Sequence, residues 1–244
     1  MAFVSGGSGA IGRAIALALG AEGAAVAVSW HSGQDRAEEV VKAVVEAGGR
    51  AHAVRLDQGD PATAQAAVDQ AGEVFGPVSV LVANAVNWPD RALPDVAGLA
   101  ASLTTNTVGT AALVDAALPG MRQVSWGRVV IVSTDIVAQP MPGPLAYAAA
   151  KGALESVARV LAVREARYGI LTNVVRPGFT LTDRALTSPF LGPAAVEAEG
   201  KRTPTGRICT PEDVASAVTY LGSEANGQIN GQTLSVAGGR ELVR

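Results

Sequence analysis

Seven short runs of apolar and β-branched residues punctuate the chain, at 2–5, 25–30, 50–56, 78–83, 128–132, 170–176 and 232–236. Stretches of helical composition separate them: 13–19, 35–47, a segment from Pro61, 94–118, 147–167 and 211–221. This alternation restricts the fold more than any other feature. Most runs are followed by a crossover long enough to hold a helix, which is the mark of a parallel sheet covered on both sides. No low-complexity linker divides the chain, and no internal repeat shows. The pattern predicts an α/β protein: one doubly wound parallel sheet with helices on both faces, forming a single domain over 1–244. In such a sheet, ligands bind outside the carboxyl ends of the strands.

The residues that follow each run therefore matter most. The first run leads into Gly6-Gly7-Ser8-Gly9-Ala10-Ile11-Gly12 and then a good helix former. Glycines between a strand and a helix let backbone approach a pyrophosphate, and the helix N-terminus adds free N–H groups and a positive partial charge. The second run ends in Trp30, His31 and Ser32. Sites of this kind that take NAD carry an Asp or Glu there to hold the ribose. Here no carboxylate stands at that place to repel a 2′-phosphate, His31 and Ser32 could donate to one, and Arg36 lies further on. NADP(H) is expected over NAD(H).

Asp57 and Gln58 close the third run; Asp57 could accept from an adenine amino group or cap the next helix. Asn84 and Ala85 close the fourth run, Ser133 and Thr134 the fifth, and Pro177 with Gly178 the sixth. The stretch 180–205 is rich in Pro, Gly and Thr and has no clear period, so a mobile substrate flap is expected there.

Tyr147 and Lys151 stand four apart at the start of a helical run, on one face and one turn apart. An ammonium near a phenol favours the phenolate, so the pair could trade a proton with a substrate oxygen near neutral pH. The plainer alternative is a surface pair on an amphipathic helix. The glycines, Asn84, the Ser133-Thr134 pair and Pro177-Gly178 all fall at strand ends on the same edge, and that convergence favours chemistry.

Composition narrows the rest. Apolar residues make up 48% of the chain but aromatics only 4%, so Ala, Val and Leu must fill the core. A net charge of -3 gives no reason to expect nucleic acid or an anionic membrane as partner. Cys209 is the single cysteine, which excludes an intrachain disulfide and suits a reducing compartment. His31, His52 and Cys209 are too scattered for a zinc site, and no metal is expected. The start of the chain lacks a basic, then apolar, leader, and no stretch is long enough to span a bilayer, so a soluble cytoplasmic protein is expected.

Together these residues resemble the short-chain dehydrogenase/reductase family, across essentially the full chain. Ser5 through Gly12 is similar to the family's Thr-Gly-x-x-x-Gly-x-Gly, with Ser5 for Thr and Ala10 for the middle Gly. Ala83-Asn84-Ala85-Val86 keeps the central pair of Asn-Asn-Ala-Gly. Asn106-Thr107-Val108-Gly109, Tyr147-x-x-x-Lys151, and Pro177-Gly178 with Thr182 resemble further family segments. The tail from Gly206-Arg207-Ile208 to Gly238-Gly239 is close to that of bacterial 3-oxoacyl-carrier-protein reductases.

The resemblance implies a Rossmann fold and hydride transfer between a nicotinamide and a ketone or alcohol. It implies a catalytic set of Asn106, Thr134, Tyr147 and Lys151. The cofactor would be held by Gly6, Ser8, Gly9, Ala10, Ile11, Gly12, His31, Ser32, Asp57, Gln58, Asn84, Ala85, Tyr147, Lys151, Pro177, Gly178, Thr180 and Thr182. Lys151 would lower the Tyr147 pKa and bind the nicotinamide ribose, and Asn106 would hold a relay water. It also implies a homotetramer, or homodimer, formed through the helices of Asn106 and Tyr147. The family's catalytic Ser precedes the Tyr by thirteen positions, which lands on Thr134 rather than Ser133. Adjacent strand residues face opposite ways, so one of the two serves, and Thr134 is the choice in register.

The function expected is a ketoreductase of a 3-oxoacyl-carrier-linked or polyketide-like acyl group; the alternatives are a dehydrogenase or reductase of a free small alcohol or ketone, such as a sugar or cyclic alcohol, and a non-catalytic nucleotide-binding regulator. Tyr147, Lys151 and Asn106 speak against the last. Substrate choice falls to the flap and to 86–93. Arg122, Arg128 and Arg167 are candidates to face a carrier protein, while Trp88, Phe179 and Phe190 would suit a bulky, flat substrate.

Overall fold

The computed structural model describes residues 1–88, 96–141, 144–187 and 191–243. Seven strands, β1 (Ala2–Val4), β2 (Ala25–Trp30), β3 (Arg50–Arg55), β4 (Val80–Ala83), β5 (Gly127–Val132), β6 (Ile170–Pro177) and β7 (Thr233–Val236), form one sheet. Its order is β3-β2-β1-β4-β5-β6-β7, and every neighbouring pair is parallel. The expected architecture is the one found, with strand ends within a residue or two of those read from composition. The order reverses between β1 and β4, so the crevice for a ligand opens outside those two strand ends.

Each central strand is apolar on both faces, because both faces are covered. Val80 and Val82 of β4, with Val130 and Val132 of β5, join one core; Leu81 and Ala83, with Val129 and Ile131, join the other. The first core packs against α1 (Ala10–Ala21), α2 (Gln34–Glu46) and α9 (Pro211–Gly222) through Ile15, Leu19, Val40, Val214 and Val218. The second packs against α3 (Thr63–Phe75), α5 (Gly109–Gln123) and α6 (Leu145–Glu165) through Ala67, Leu113, Leu118, Leu154 and Leu161. Large side chains are few, so these cores rest on close approach of Ala and Val.

Two segments differ from the sequence expectation. The helix expected over 94–118 is described from Val96. It runs as α4 (Val96–Leu103), then a π-helical turn at Thr104–Val108, then α5. The stretch 180–205 carries two helices, α7 (Asp183–Thr187) and α8 (Gly192–Arg202). Residues 188–190, and Phe190 with them, lie outside the described residues. Among the described residues no helix is long and apolar enough to cross a membrane.

Candidate active site

The glycine loop leaves β1 and enters α1 in very little space. A Cβ at Gly12 would collide with the Gly6 carbonyl oxygen, and Gly6 itself has φ +63°. The loop is pinned from β4: the Asn84 side-chain amide donates to Ser5 O (3.1 Å) and Gly6 O (3.2 Å), and Ser5 Oγ accepts from the Asn84 and Ala85 N–H groups. Asn84 thus acts on the loop through its side chain. Gly9 caps α1 with no side-chain hydrogen bond, so the first N–H groups of that helix stay free for an anion. Ser8 and Ile11 are half-buried, and Gly9 and Ala10 are exposed on the same rim.

Beyond β2, His31 Nε2 lies 3.4 Å from Asp57 Oδ2. The spot that has no carboxylate in the sequence of β2 therefore receives one from the end of β3. A Cβ at Gly33 would lie 2.5 Å from Arg36 Nη2, so the Arg36 guanidinium folds back over the loop that holds His31 and Ser32. Gln58 does not present its side chain to this rim. It is buried, and its Nε2 donates to Ala85 O, Thr105 O and Thr110 Oγ1 at 3.4, 3.1 and 3.0 Å.

The chemistry-bearing groups meet where β5 ends against α6. Lys151 is fully buried, and its Nζ donates to Val132 O at 2.7 Å. Ser133 and Thr134 diverge, as strand alternation requires. Ser133 Oγ donates to Glu155 Oε1 at 2.7 Å, inside the protein. The Thr134 hydroxyl lies beside the Tyr147 phenol and is one of the groups that favour its ionised form. On the other side, the Tyr147 and Trp88 rings lie 4.3 Å apart between centroids, tilted at 46°.

The proton affinities run against the simple two-residue expectation. Burial pushes the Tyr147 pKa up, opposed by the Thr134 hydroxyl and the Arg184 charge and reinforced by Asp135. Lys151, 5.9 Å from the Tyr147 ring centroid, does not reverse that. Burial instead brings its own pKa down to about 8. Tyr147 therefore keeps its proton at neutral pH.

Asn106 sits in the π-helical turn, completely buried. Its Oδ1 accepts from Asn87 N (2.8 Å), and its Nδ2 donates to Asn87 O (2.9 Å) and Ser102 Oγ (3.1 Å). Both amide protons are thereby occupied, so the side chain clamps the segment that leads to Trp88 rather than offering them to a water. The widened turn is also tied to α6, with Ser102 Oγ donating to Ala146 O and Thr107 Oγ1 to Ala150 O, on either side of Tyr147. A π turn of this kind often marks a functional site.

A family model described as enoyl-(acyl carrier protein) reductase matches residues 6–241. The chain belongs to the short-chain dehydrogenase/reductase family. It is 35% identical over its whole length to cis-4-hydroxycyclohexanecarboxylate dehydrogenase of Sinomonas cyclohexanicum, covering 97% of that protein. It is 32% identical to the 3-oxoacyl-[acyl-carrier-protein] reductase FabG of Staphylococcus aureus, over 98% of this chain and 96% of that one. A short chain dehydrogenase from Burkholderia cenocepacia, solved in complex with NADP, superposes with a TM-score of 0.87 at 33% identity, covering 98% of this chain and 96% of that one. This short-chain dehydrogenase/reductase is thus an oxidoreductase of CH–OH and C=O groups that uses a nicotinamide cofactor. Its residues fit such a group: the loop admits no side chain at Gly12, the α1 N-terminus is uncapped, and the described residues give the buried Lys151 ammonium one acceptor for three protons.

Several named residues fall elsewhere. Thr182 caps α7, its Oγ1 accepting from Ala185 N at 3.2 Å, and Thr180 Oγ1 donates to Gly178 O at 2.8 Å. Arg122, Arg128 and Arg167 lie where helices end and strands begin, at the opposite edge of the sheet. Arg122 is bound to Glu165, Arg128 is buried among backbone carbonyls, and Arg167 stacks on Tyr168. Arg36, expected only further on from His31 and Ser32, folds back to them, and Arg184 is not among the expected residues. Arg36 had a local signal, a helix-start Arg three residues after Gly33. Arg184 had none, because its partner Trp88 comes from another loop.

Proposed function

We propose that this enzyme interconverts a ketone and a secondary alcohol on a small, free substrate, with NADP(H) as its cofactor. The meeting of Thr134, Tyr147 and Lys151 at the end of β5 supports this reading most. The nicotinamide, when bound, supplies or takes up the hydride at the reacting carbon. Tyr147 gives its proton to the oxygen that becomes negative, and burial, which holds that proton in place, suits the reducing direction. Thr134 donates a hydrogen bond to the same oxygen. Lys151, anchored on Val132 O, holds the cofactor's ribose with its remaining protons. Asn106 and the π turn keep the Trp88 segment and α6 in mutual register.

A free substrate is favoured because Arg122, Arg128 and Arg167, the cations that would have faced a carrier protein, are engaged at the far edge. The cyclohexane-ring relative leans the same way. The carrier-protein reductase among the relatives supports a carrier-linked acyl group as the second reading. The preference for NADP(H) rests on Arg36, His31 and Ser32 at the end of β2, set against Asp57. Two to four subunits are expected, and the exposed Val96 (86%), Val160 (64%) and Val163 (83%) on α4 and α6 support burial of that surface between copies.

A panel of free and thioester-linked ketones, followed by NADPH and NADH oxidation, tests the reading. Free cyclic ketones should be reduced and thioesters not. Arg36→Gln should cut the NADPH/NADH ratio of kcat/KM by about tenfold, the low end for a lost charge-assisted hydrogen bond. An unchanged ratio would remove Arg36 from the cofactor site.

A further inference from the structure

Tyr147, Trp88 and Arg184 follow one another in contact, the two rings tilted and the guanidinium over the indole. The Trp88 ring lies 4.3 Å from the Tyr147 ring, and the Arg184 guanidinium carbon lies 5.0 Å from the Trp88 ring centroid. The guanidinium is therefore no more than about 9 Å from the Tyr147 ring. Its charge reaches far enough to favour ionisation of the phenol. Arg184 is exposed on α7, and among the described residues no carboxylate forms an ion pair with it.

A charge of the opposite sign also acts on Tyr147. Asp135 follows Thr134 and acts on Tyr147, and it also feels Glu199 and Glu241. Of the last two, Glu199 is bound by Arg240, and Glu241 accepts from Ser235. Asp183 neighbours Arg184 on α7 and is exposed. A substrate with its oxygen at Tyr147 and Thr134 thus meets the Asp135 carboxylate next to Thr134 and a guanidinium on the Trp88 side. A neutral substrate gains little from that polarity. An anionic one is oriented by it.

We propose that the substrate carries a carboxylate that pairs with Arg184 while its carbon frame lies against the Trp88 indole. The substrate class is then a hydroxy acid and its oxo acid, with the carboxylate several carbons from the reacting carbon. At about 1.5 Å per C–C bond, a ring or short chain of that length spans the gap between Tyr147 and Arg184. A guanidinium binds a carboxylate through two parallel hydrogen bonds and can do so while stacked on an aromatic face. The proposal rests on the ketone–alcohol reading of this site, and it narrows the substrate.

The test compares 4-oxocyclohexanecarboxylate with its carboxamide, and 4-oxopentanoate with its carboxamide. Calorimetry measures binding to the enzyme with NADP+ present, and NADPH oxidation measures turnover. In at least one pair the acid should bind about 10–100-fold more tightly than the amide, the range of a charged hydrogen bond. Arg184→Gln should bring that ratio close to one, and Arg184→Lys should restore part of it. Because Arg184 is exposed, both variants should melt with the wild type. Equal binding of acid and amide in both pairs overturns the proposal, and so does an acid preference that survives Arg184→Gln. If the acid binds through Arg184 but no ketone is turned over with either nicotinamide, the carboxylate site stands and the reductase reading falls.

Discussion

Helix α6 carries two buried glutamates ten residues apart, and their surroundings differ in kind. Glu165, at the amino edge of the sheet, accepts from Arg122 Nε and Nη2 at 2.8 Å each and from Arg164 Nε at 2.6 Å. Nearby, Arg128 donates to the backbone of Gly127, Gly169, Ser223 and Asn226. At that edge the charged groups are matched, and what is left without a partner is neutral: the buried hydroxyls of Thr172 in β6 and Thr219 in α9. Glu155, nearer the carboxyl edge, accepts from Ser133 and, through two nitrogens, from Arg176. One turn before it, the pattern breaks down. Lys151 has one acceptor, Tyr147 is buried with its proton, and the Oε1 of Gln58 is buried without a partner. Titratable groups held short of partners at one edge, on a scaffold whose charges are paired at the other, are what a site needs if a ligand is to complete it.

The largest effect expected at the incomplete edge comes from Tyr147→Phe. It should remove about 10²–10⁴ of the turnover, the usual worth of a positioned acid, with cofactor binding and melting temperature retained. Turnover near wild type would take the proton donor away from Tyr147. Next comes the contrast across β5. Thr134→Val should cost about 10²–10³ in kcat, while Ser133→Ala should lower stability more than kcat, because its hydroxyl faces Glu155 rather than the cleft. The reverse order would put the catalytic hydroxyl on Ser133.

The glutamates test the comparison directly. Glu165→Gln and Glu155→Gln each break a buried pair and leave an arginine without its counter-charge, at roughly 3 kcal/mol. Only Glu155→Gln should also lower kcat, by about tenfold, since Ser133 ties α6 to the strand end that carries Thr134 and Arg176 ties it to the end of β6. The Arg122 and Arg164 hydrogen bonds hold the Glu165 pKa below its ordinary value. That stability is present above the unfolded carboxylate pKa and is lost as pH falls through the lowered one. Wild type and Glu165→Gln should therefore converge in acid. If both variants lose activity equally, the edges are not functionally distinct.

Much of the carboxyl edge was legible because its signals are local. Strands β2 and β5 are covered on both faces, so their residues read as unbroken apolar runs. The glycine loop and the Tyr147–Lys151 spacing each lie within one turn or one loop. The π turn at Thr104–Val108 gave no signal, since apolar period does not distinguish it from an α-turn. Helix α8 was missed although it had one: Pro193 in its first turn, and Glu197 and Lys201 paired at 2.6 Å one turn apart. The pairing of His31 with Asp57, and of Arg184 with Trp88, joins loops that only the fold brings together, so a single chain of letters could not reveal either. The direction of the Tyr147 shift was misjudged for a related reason. Spacing gave the neighbouring ammonium, whereas burial, which dominates, depends on the whole cleft.

The smallest effect expected is the one that tests whether the incomplete edge lowers stability. Burial brings the Lys151 pKa from 10.5 down to about 8. At 1.36 kcal/mol per unit, the charged form destabilises the fold by about 3 kcal/mol at neutral pH. Lys151→Met fills similar space without a charge and gives up the bond to Val132 O, worth about 1 kcal/mol. A net gain of about 2 kcal/mol follows at pH 7, together with loss of turnover. Because the native pKa is the lower one, the unfolded chain holds more protons between pH 8 and 10.5, and wild-type stability rises with pH across that window. The advantage of Lys151→Met should thus be full below pH 8 and shrink above it. Melting curves at pH 7 and 9.5 read this directly. A variant that melts below wild type at pH 7 would mean that the Val132 bond outweighs the burial of the charge, and that the carboxyl edge is as well satisfied as the amino edge.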